Sequence, residues 1–369
     1  MKYYIIAGEA SGDLHGANLM KAISNEDAEA DFRFWGGDRM ADVGGRLVKH
    51  YKDMAFMGFV EVVKNLFTIL DYIKLCKKDL TLYEPDVVIL IDYPGFNLRI
   101  AAWAKAKGNK VVYYITPQVW AWHKSRVHAL DKFTDLKLVI LPFEEDFFNK
   151  YGYQANFVGH PLLDAIQDFT PDKKVLYELQ AVEKPILALL PGSRTQEINA
   201  ILPTMLAAVK NIPYHIVIAV APSQNTVLYT KIIEKSGISQ PITLLDNQTY
   251  TLLSIAKLAL VGSGTATLET ALFGVPQVVC YKGNPISFTI AKRLVKLKYI
   301  SLVNLIMDKE VVTELIQNDL NPARLSEEIH KLALNTQIKA DYNLMRGKLG
   351  NVGASARAAH HIVQLISEK

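Results

Sequence analysis

Four short loops hold most of the residues in this chain that could do chemistry. The first is Gly8-Glu9-Ala10-Ser11-Gly12-Asp13. Its two glycines allow close backbone approach to a ligand, and Ser11 or Asp13 can cap a following helix. The spacing is not that of the G-x-G-x-x-G dinucleotide fingerprint, and a tight turn with a helix cap would use the same residues. The second is Asp92-Tyr93-Pro94-Gly95-Phe96-Asn97, an acid closing an apolar run. Such an acid can serve as a general base or simply cap the next helix. The third is Pro191-Gly192-Ser193-Arg194, with Glu197 one turn on. A glycine turn leaves backbone N–H groups free, and an arginine fork beside them suits phosphate. The bland alternative is an Arg194–Glu197 surface pair, worth a few tenths of a kcal/mol. The fourth is Gly262-Ser263-Gly264-Thr265-Ala266-Thr267, running into a helix that carries Glu269. A glycine-rich helix start is an anion site, and Glu269 lies on the face of Thr265, where its carboxylate could accept from a sugar diol.

What is missing narrows the chemistry. A nicotinamide dehydrogenase would place its glycine loop in the first unit and an acid after the next strand. The run 277–281 instead ends in Lys282-Gly283. No Asp-x-Asp pair closes a strand, so no bound magnesium is implied, and charge on a leaving diphosphate would fall to Arg194 and the helix start. His123, His128, His160, His360 and His361 lack zinc spacing and read as structural or surface groups. Cys76 and Cys280 lack metal spacing too, and two cysteines in a chain of this size read as reduced and cytosolic. Neither metal nor cofactor is expected.

These loops need elements to hold them. Runs at 3–7, 31–35, 87–91, 110–115, 137–141 and 155–158 read as strands, continuous and β-branched or aromatic, as parallel strands covered on both faces are. Helical stretches such as 13–24, 59–78 and 96–107 separate them. The series restarts at 186–190, 215–221, 242–245, 257–261 and 277–281, and beyond Asn304 the pattern is almost wholly helical, ending in 354–367. Two βα series predict an α/β protein of two doubly wound parallel sheets, with ligands at the strand carboxyl ends and so in a cleft between the domains. The expected divisions are 1–165, 166–345 and a tail 346–369 that could cross back to the first domain or to another subunit, which leaves a homodimer open. A chain of 369 residues that is 50% hydrophobic can bury two such cores, and a net charge of +4 gives no case for nucleic acid. The longest unbroken apolar run, 216–221, is far too short to cross a bilayer, and the first residues read as a buried strand rather than a signal peptide.

Two segments bear on a surface partner. The stretch 59–78 sets apolar residues at helical spacing against Lys64, Lys74, Lys77 and Lys78. The stretch 286–298 combines Phe288, Leu294, Val295 and Leu297 with Lys292, Arg293, Lys296 and Lys298. Basic amphipathic helices of this kind can lie on an anionic membrane, and equally can pack on a core with a solvated basic side.

With these motifs in order, the chain resembles the lipid-A-disaccharide synthase family. The resemblance rests on Gly8–Asp13, Met57-Gly58-Phe59-Val60-Glu61-Val62, Ile91–Asn97, Val119-Trp120-Ala121-Trp122, Phe157-Val158-Gly159-His160-Pro161, Leu190–Arg194, Gly262–Thr265 with Glu269, and Ala291-Lys292-Arg293-Leu294-Val295-Lys296. It implies a glycosyltransferase of the two-Rossmann-domain GT-B fold, peripheral on the cytoplasmic face of the inner membrane. The donor would be UDP-2,3-diacylglucosamine and the acceptor 2,3-diacylglucosamine 1-phosphate, joined by inverting transfer with loss of UDP. By the same resemblance Asp92 matches the family's catalytic acid and Arg194 its donor-binding arginine. The departure is at Tyr93 and Gly95, where the family pattern has Ala and Asp. Two other readings share the architecture: a UDP-N-acetylglucosamine 2-epimerase-like isomerase, and a nucleotide-sugar-binding protein without catalysis.

Overall fold

The computed structural model describes residues 1–54, 66–120, 126–284, 288 and 298–367. The motif at 57–62, His123, the second tryptophan of the Trp120 motif and the 291–296 run lie outside the described residues, as do the start of the 59–78 helix and most of 286–298.

The chain divides into two compact units, Met1–Ala165 with Leu349–Lys369, and Ile166–Lys348. Each is built on one parallel sheet. In the first unit the strands are β1 (Lys2–Ala7), β2 (Asp31–Gly36), β3 (Arg46–His50), β4 (Val87–Ile91), β5 (Lys110–Tyr114), β6 (Leu136–Val139) and β7 (Asn156–Phe157). In the second they are β8 (Ile186–Leu190), β9 (His215–Val220), β10 (Ile242–Asp246), β11 (Leu258–Gly262), β12 (Gln277–Tyr281) and β13 (Thr313–Ile316). The spatial orders are β3-β2-β1-β4-β5-β6-β7 and β10-β9-β8-β11-β12-β13. Residues of β4, β8 and β11 are buried throughout because helices cover both faces, which is why these strands read as unbroken apolar runs. The two doubly wound sheets expected from the sequence are present.

Both sheets reverse their winding direction once, between β1 and β4 and between β8 and β11. Ligands of open α/β sheets bind at such reversals, beyond the strand carboxyl ends. The four loops singled out above follow these four strands.

Two strands escaped the sequence reading. The strand β3 is a half-exposed edge, basic and irregularly paired to β2, so it carries no apolar run. The strand β13 corrects the expectation of an almost wholly helical end: Thr313–Ile316 closes the second sheet with Leu315 as its single fully buried residue. Beyond it the chain does turn helical, at Pro322–Leu334, Ile338–Lys348 and Ala354–Ser367.

The last of these helices belongs to the first unit. Ala358, Ala359 and Ile362 are fully buried in the core formed by Tyr3, Ile5, Ile89 and Leu138. Its N-terminus is capped from far away in sequence: Asp164 accepts from the N–H groups of Gly353 at 2.6 Å and Ser355 at 2.9 Å. Arg357 adds a bond to the Val158 carbonyl at 2.8 Å.

Candidate active site

The acid of the second loop sits in an unusual piece of backbone. Asp92 and Tyr93 follow β4 with φ of 44° and 47°, two consecutive non-glycine residues in the left-handed region. Each costs about 1–2 kcal/mol, so such a turn persists only where its surroundings over-determine it. Here they do. The buried Asn97 amide donates to the carbonyls of Asp92 at 2.8 Å and Ile91 at 3.1 Å. The Tyr113 hydroxyl donates to the Asp92 carbonyl at 2.6 Å, and the Asp92 N–H donates to Ile115 across the sheet at 3.2 Å. Pro94 then starts the helix Pro94–Ala106, where its missing N–H is no loss. Burial pushes the Asp92 carboxyl up to about 6, partly offset by the Tyr93 backbone N–H. A carboxylate in that range is ionised near neutral pH yet more basic than an ordinary aspartate, which suits a general base.

The first loop serves the second. A side chain on Gly8 would place its Cβ 2.3 Å from the Tyr93 ring, so glycine is what lets that ring lie across the loop. The ring is pinned at its far end by the Tyr93 hydroxyl donating to Met54 at 3.0 Å. Glu9 lies close enough to Tyr93 to raise the phenol further, after burial. Gly12 brings the helix Ala10–Glu26 down onto Ala7, 3.2 Å from where its Cβ would stand.

The capping expectation for this loop needs correction. The helix begins at Ala10, so Ser11 and Asp13 lie inside it, and Glu9 at its start makes no side-chain cap. Ser11 is half-buried. Asp13 is 3% exposed and turns to another element. It accepts from Gly37 at 2.7 Å, Met40 at 3.1 Å and Arg39 at 3.2 Å, holding the start of the helix Asp38–Val43 after β2. The cap is real, but on a neighbouring helix.

One acid of the first unit went unread. Glu144, 1% exposed, accepts from the N–H groups of Ile140 at 3.1 Å and Leu141 at 2.9 Å, and from the Trp120 indole at 3.3 Å. Burial raises its carboxyl to about 7 against those bonds. It ties the loop after β5 to the loop after β6. Its signal was the one that marked Asp92, an acid just past a strand, in Leu141-Pro142-Phe143-Glu144. Among the histidines, His160 is buried in the first unit: burial holds it down at about 3, and its Nδ1 accepts from the Leu162 N–H.

In the second unit the loops after β8 and β11 also meet. A Cβ on Gly262 would stand 3.2 Å from the Gly192 nitrogen. Gly192 itself turns at φ 118°, which favours glycine. Arg194 stands at the start of the helix Thr195–Ala208, half-exposed, and its Nη1 pairs with Glu197 Oε1 at 2.8 Å. The bland partner is therefore present. That pair also lies near the Tyr281 hydroxyl, which burial raises, Glu197 raises and Arg194 lowers. The Ser193 carbonyl is held by Ser223 at 3.0 Å and Gln224 at 2.9 Å. Gly264 precedes the helix Thr265–Leu272, with exposed Thr265 as its first residue, and Ser263 N–H donates to Cys280 at 3.0 Å. Glu269 accepts from the Tyr250 hydroxyl at 2.8 Å. Backbone N–H groups at two helix starts, with an arginine beside one, can take a diphosphate. Among the described residues no three His, Cys, Asp or Glu side chains gather as metal ligands would.

Residues 3–363 match the family model described as lipid-A-disaccharide synthetase. The lipid-A-disaccharide synthase of Syntrophus aciditrophicus is 41% identical over 99% of this chain and 97% of its own length. That of Myxococcus xanthus is 35% identical over 98% and 97%. The chain belongs to this family.

As a lipid-A-disaccharide synthetase family member it is a glycosyltransferase of lipid A disaccharide synthesis. Solved structures share the fold. The kitacinnamycin glycotransferase superposes with a TM-score of 0.69 at 12% identity, over 99% of each chain. The UDP-GlcNAc 2-epimerase of Methanocaldococcus jannaschii, solved with UDP-GlcNAc and UDP, gives 0.68 at 13%, over 99% of this chain and 100% of its own. These likenesses show the GT-B fold alone. An epimerase sharing the fold does not make this family member an isomerase.

Proposed function

We propose that the chain transfers the sugar of UDP-2,3-diacylglucosamine to the 6-hydroxyl of 2,3-diacylglucosamine 1-phosphate in one inverting step. Asp92 accepts the hydroxyl proton as the acceptor oxygen bonds to the anomeric carbon. The bond from that carbon to the diphosphate breaks, and UDP departs. Arg194, with the backbone N–H groups of Gly192–Ser193 and Gly262–Thr265, meets the charge on the departing diphosphate. Glu269 accepts from the ribose hydroxyls. The observation that carries this reading is the Asp92 turn: a strained, four-times-tethered backbone presenting a carboxyl raised to about 6 at a sheet reversal.

The test supplies UDP-2,3-diacylglucosamine with and without the acylated acceptor and follows UDP release. Release that requires the acceptor is expected. Donor turnover without acceptor would favour the isomerase, and UDP binding without any turnover the binding protein.

In the same reading the protein works against the cytoplasmic face of the inner membrane. Support comes from the helix Leu66–Tyr83, whose outer surface carries Phe67, 81% exposed, and Leu82, 72% exposed, with Leu70, Leu75, Lys74 and Lys78. Apolar anchors among lysines suit an anionic bilayer. Among the described residues no helix is long and apolar enough to cross a membrane. Vesicle flotation should require anionic lipid and weaken in Phe67→Ser with Leu82→Ser; flotation indifferent to both would reject the contact.

A further inference from the structure

The carboxylate assigned to the ribose has a partner that no motif announced. Tyr250 is the second residue of the short helix Thr249–Ile255, just beyond the carboxyl end of β10. Its hydroxyl donates to Glu269 Oε1 at 2.8 Å. Its ring is fixed on two sides. It lies 5.1 Å from the Phe273 ring and 5.4 Å from the Phe169 ring, which are themselves 5.9 Å apart. The three rings close a triangle, so the phenol has little room to swing away.

Glu269 and Phe273 stand one turn apart on one helix face, so the tyrosine lies along that face with its ring against Phe273 and its hydroxyl on the carboxylate. The hydroxyl bond and the packing therefore act on the same object, the direction in which Glu269 points. A glutamate side chain has three rotatable bonds and, left to itself, loses much of its freedom when it takes a ligand. A donor held rigidly by aromatic contacts removes that cost before the ligand arrives.

We propose that Tyr250 is a positioning residue for nucleotide recognition, aligning Glu269 to receive the ribose hydroxyls of the UDP donor. This rests on the assignment of Glu269 to the ribose given above. The consequence is specific: Tyr250 acts on the part of the affinity that comes from the 2′- and 3′-hydroxyls and leaves diphosphate binding and the chemical step unchanged.

Calorimetry of UDP and 2′,3′-dideoxy-UDP with the full-length protein tests it, using wild type, Tyr250→Phe and Glu269→Ala. Tyr250→Phe keeps the ring and its packing and removes only the hydroxyl. Wild type should prefer UDP; Glu269→Ala should abolish the preference; Tyr250→Phe should cut it by about tenfold, the scale of one hydrogen bond to a charged group. Affinity for dideoxy-UDP should stay within about twofold of wild type in Tyr250→Phe, and its turnover at saturating donor should match. A merely structural tyrosine would weaken both nucleotides alike, which overturns the proposal. An undiminished preference in Tyr250→Phe beside a lost one in Glu269→Ala also overturns it. A preference that survives Glu269→Ala rejects the ribose assignment itself.

Discussion

The two units are equipped in opposite ways at the same topological position. Each places two loops at the single reversal of its sheet. In the first unit the result is a clamped turn: left-handed aspartate and tyrosine, carbonyls held by Asn97 and Tyr113, and an acid whose burial makes it more basic. In the second it is an open one: Gly192 and Gly262 in close approach, backbone N–H groups at helix starts, and a half-exposed Arg194. The difference matches the tasks proposed for the two turns. A base must be fixed to within a fraction of an ångström and partly screened from water, which strain and burial accomplish. A diphosphate cradle needs donors that a large anion can reach, and a long solvated arginine adapts to it.

Asp92→Asn tests the contrast hardest. Turnover should fall on the order of 10³-fold while UDP affinity is unchanged, by steady-state kinetics and calorimetry. The pH behaviour has a definite sign. Below about 6 the wild-type carboxyl is protonated, so kcat/KM should fall with falling pH and level off above it. Because the folded-state value lies above that of an unfolded aspartate, the native state holds this proton more tightly. Stability from this group is therefore lost as pH rises from about 4 to about 6. Asp92→Asn should accordingly melt higher than wild type at pH 8. A lower melting point, or near-normal turnover, would break the picture of a desolvated base.

Arg194→Ala comes next. Donor KM and the Kd for UDP should rise roughly 10- to 100-fold, the scale of lost charged hydrogen bonds, with the pH profile unmoved. Unaltered donor dependence would leave Arg194 as nothing more than the surface partner of Glu197. The smallest effect sharpens the comparison of the two turns. Asn97→Ala should cost about 1–3 kcal/mol in denaturant unfolding, since it removes both amide bonds beneath a strained turn and leaves the Asp92 carbonyl to Tyr113 alone. Gln224→Ala, which removes one of the two donors to the Ser193 carbonyl at an exposed site, should cost under about 1 kcal/mol. Equal costs would mean the first turn is no tighter than the second.

The loops themselves were legible because their signals are local. Gly8, Pro94, Gly192 and Gly264 mark ends of apolar runs, and Asp92 stands where a buried strand stops. Much of what governs those loops was not. Asp13 looks like a cap for its own helix and caps another, because the geometry that decides this lies 24 residues on, at Gly37. Glu144 and Tyr250 act on groups well away in sequence, at Trp120 and Glu269, so no spacing rule could pair them. The strands β3 and β13 are edges with little apolar content, and periodicity is silent where burial is partial.

The sequence by itself determined the kind of fold and the contents of each loop, since apolar runs, turn residues and strand-end acids follow from short-range backbone and burial preferences. Only the tertiary structure decided which loops share a site. A parallel strand can join its sheet on either side of the one before, and no residue in the crossover records the side. The orders that set β1 beside β4 and β8 beside β11 lay Gly8 under Tyr93, next to Asp92, and bring Gly262 against Gly192.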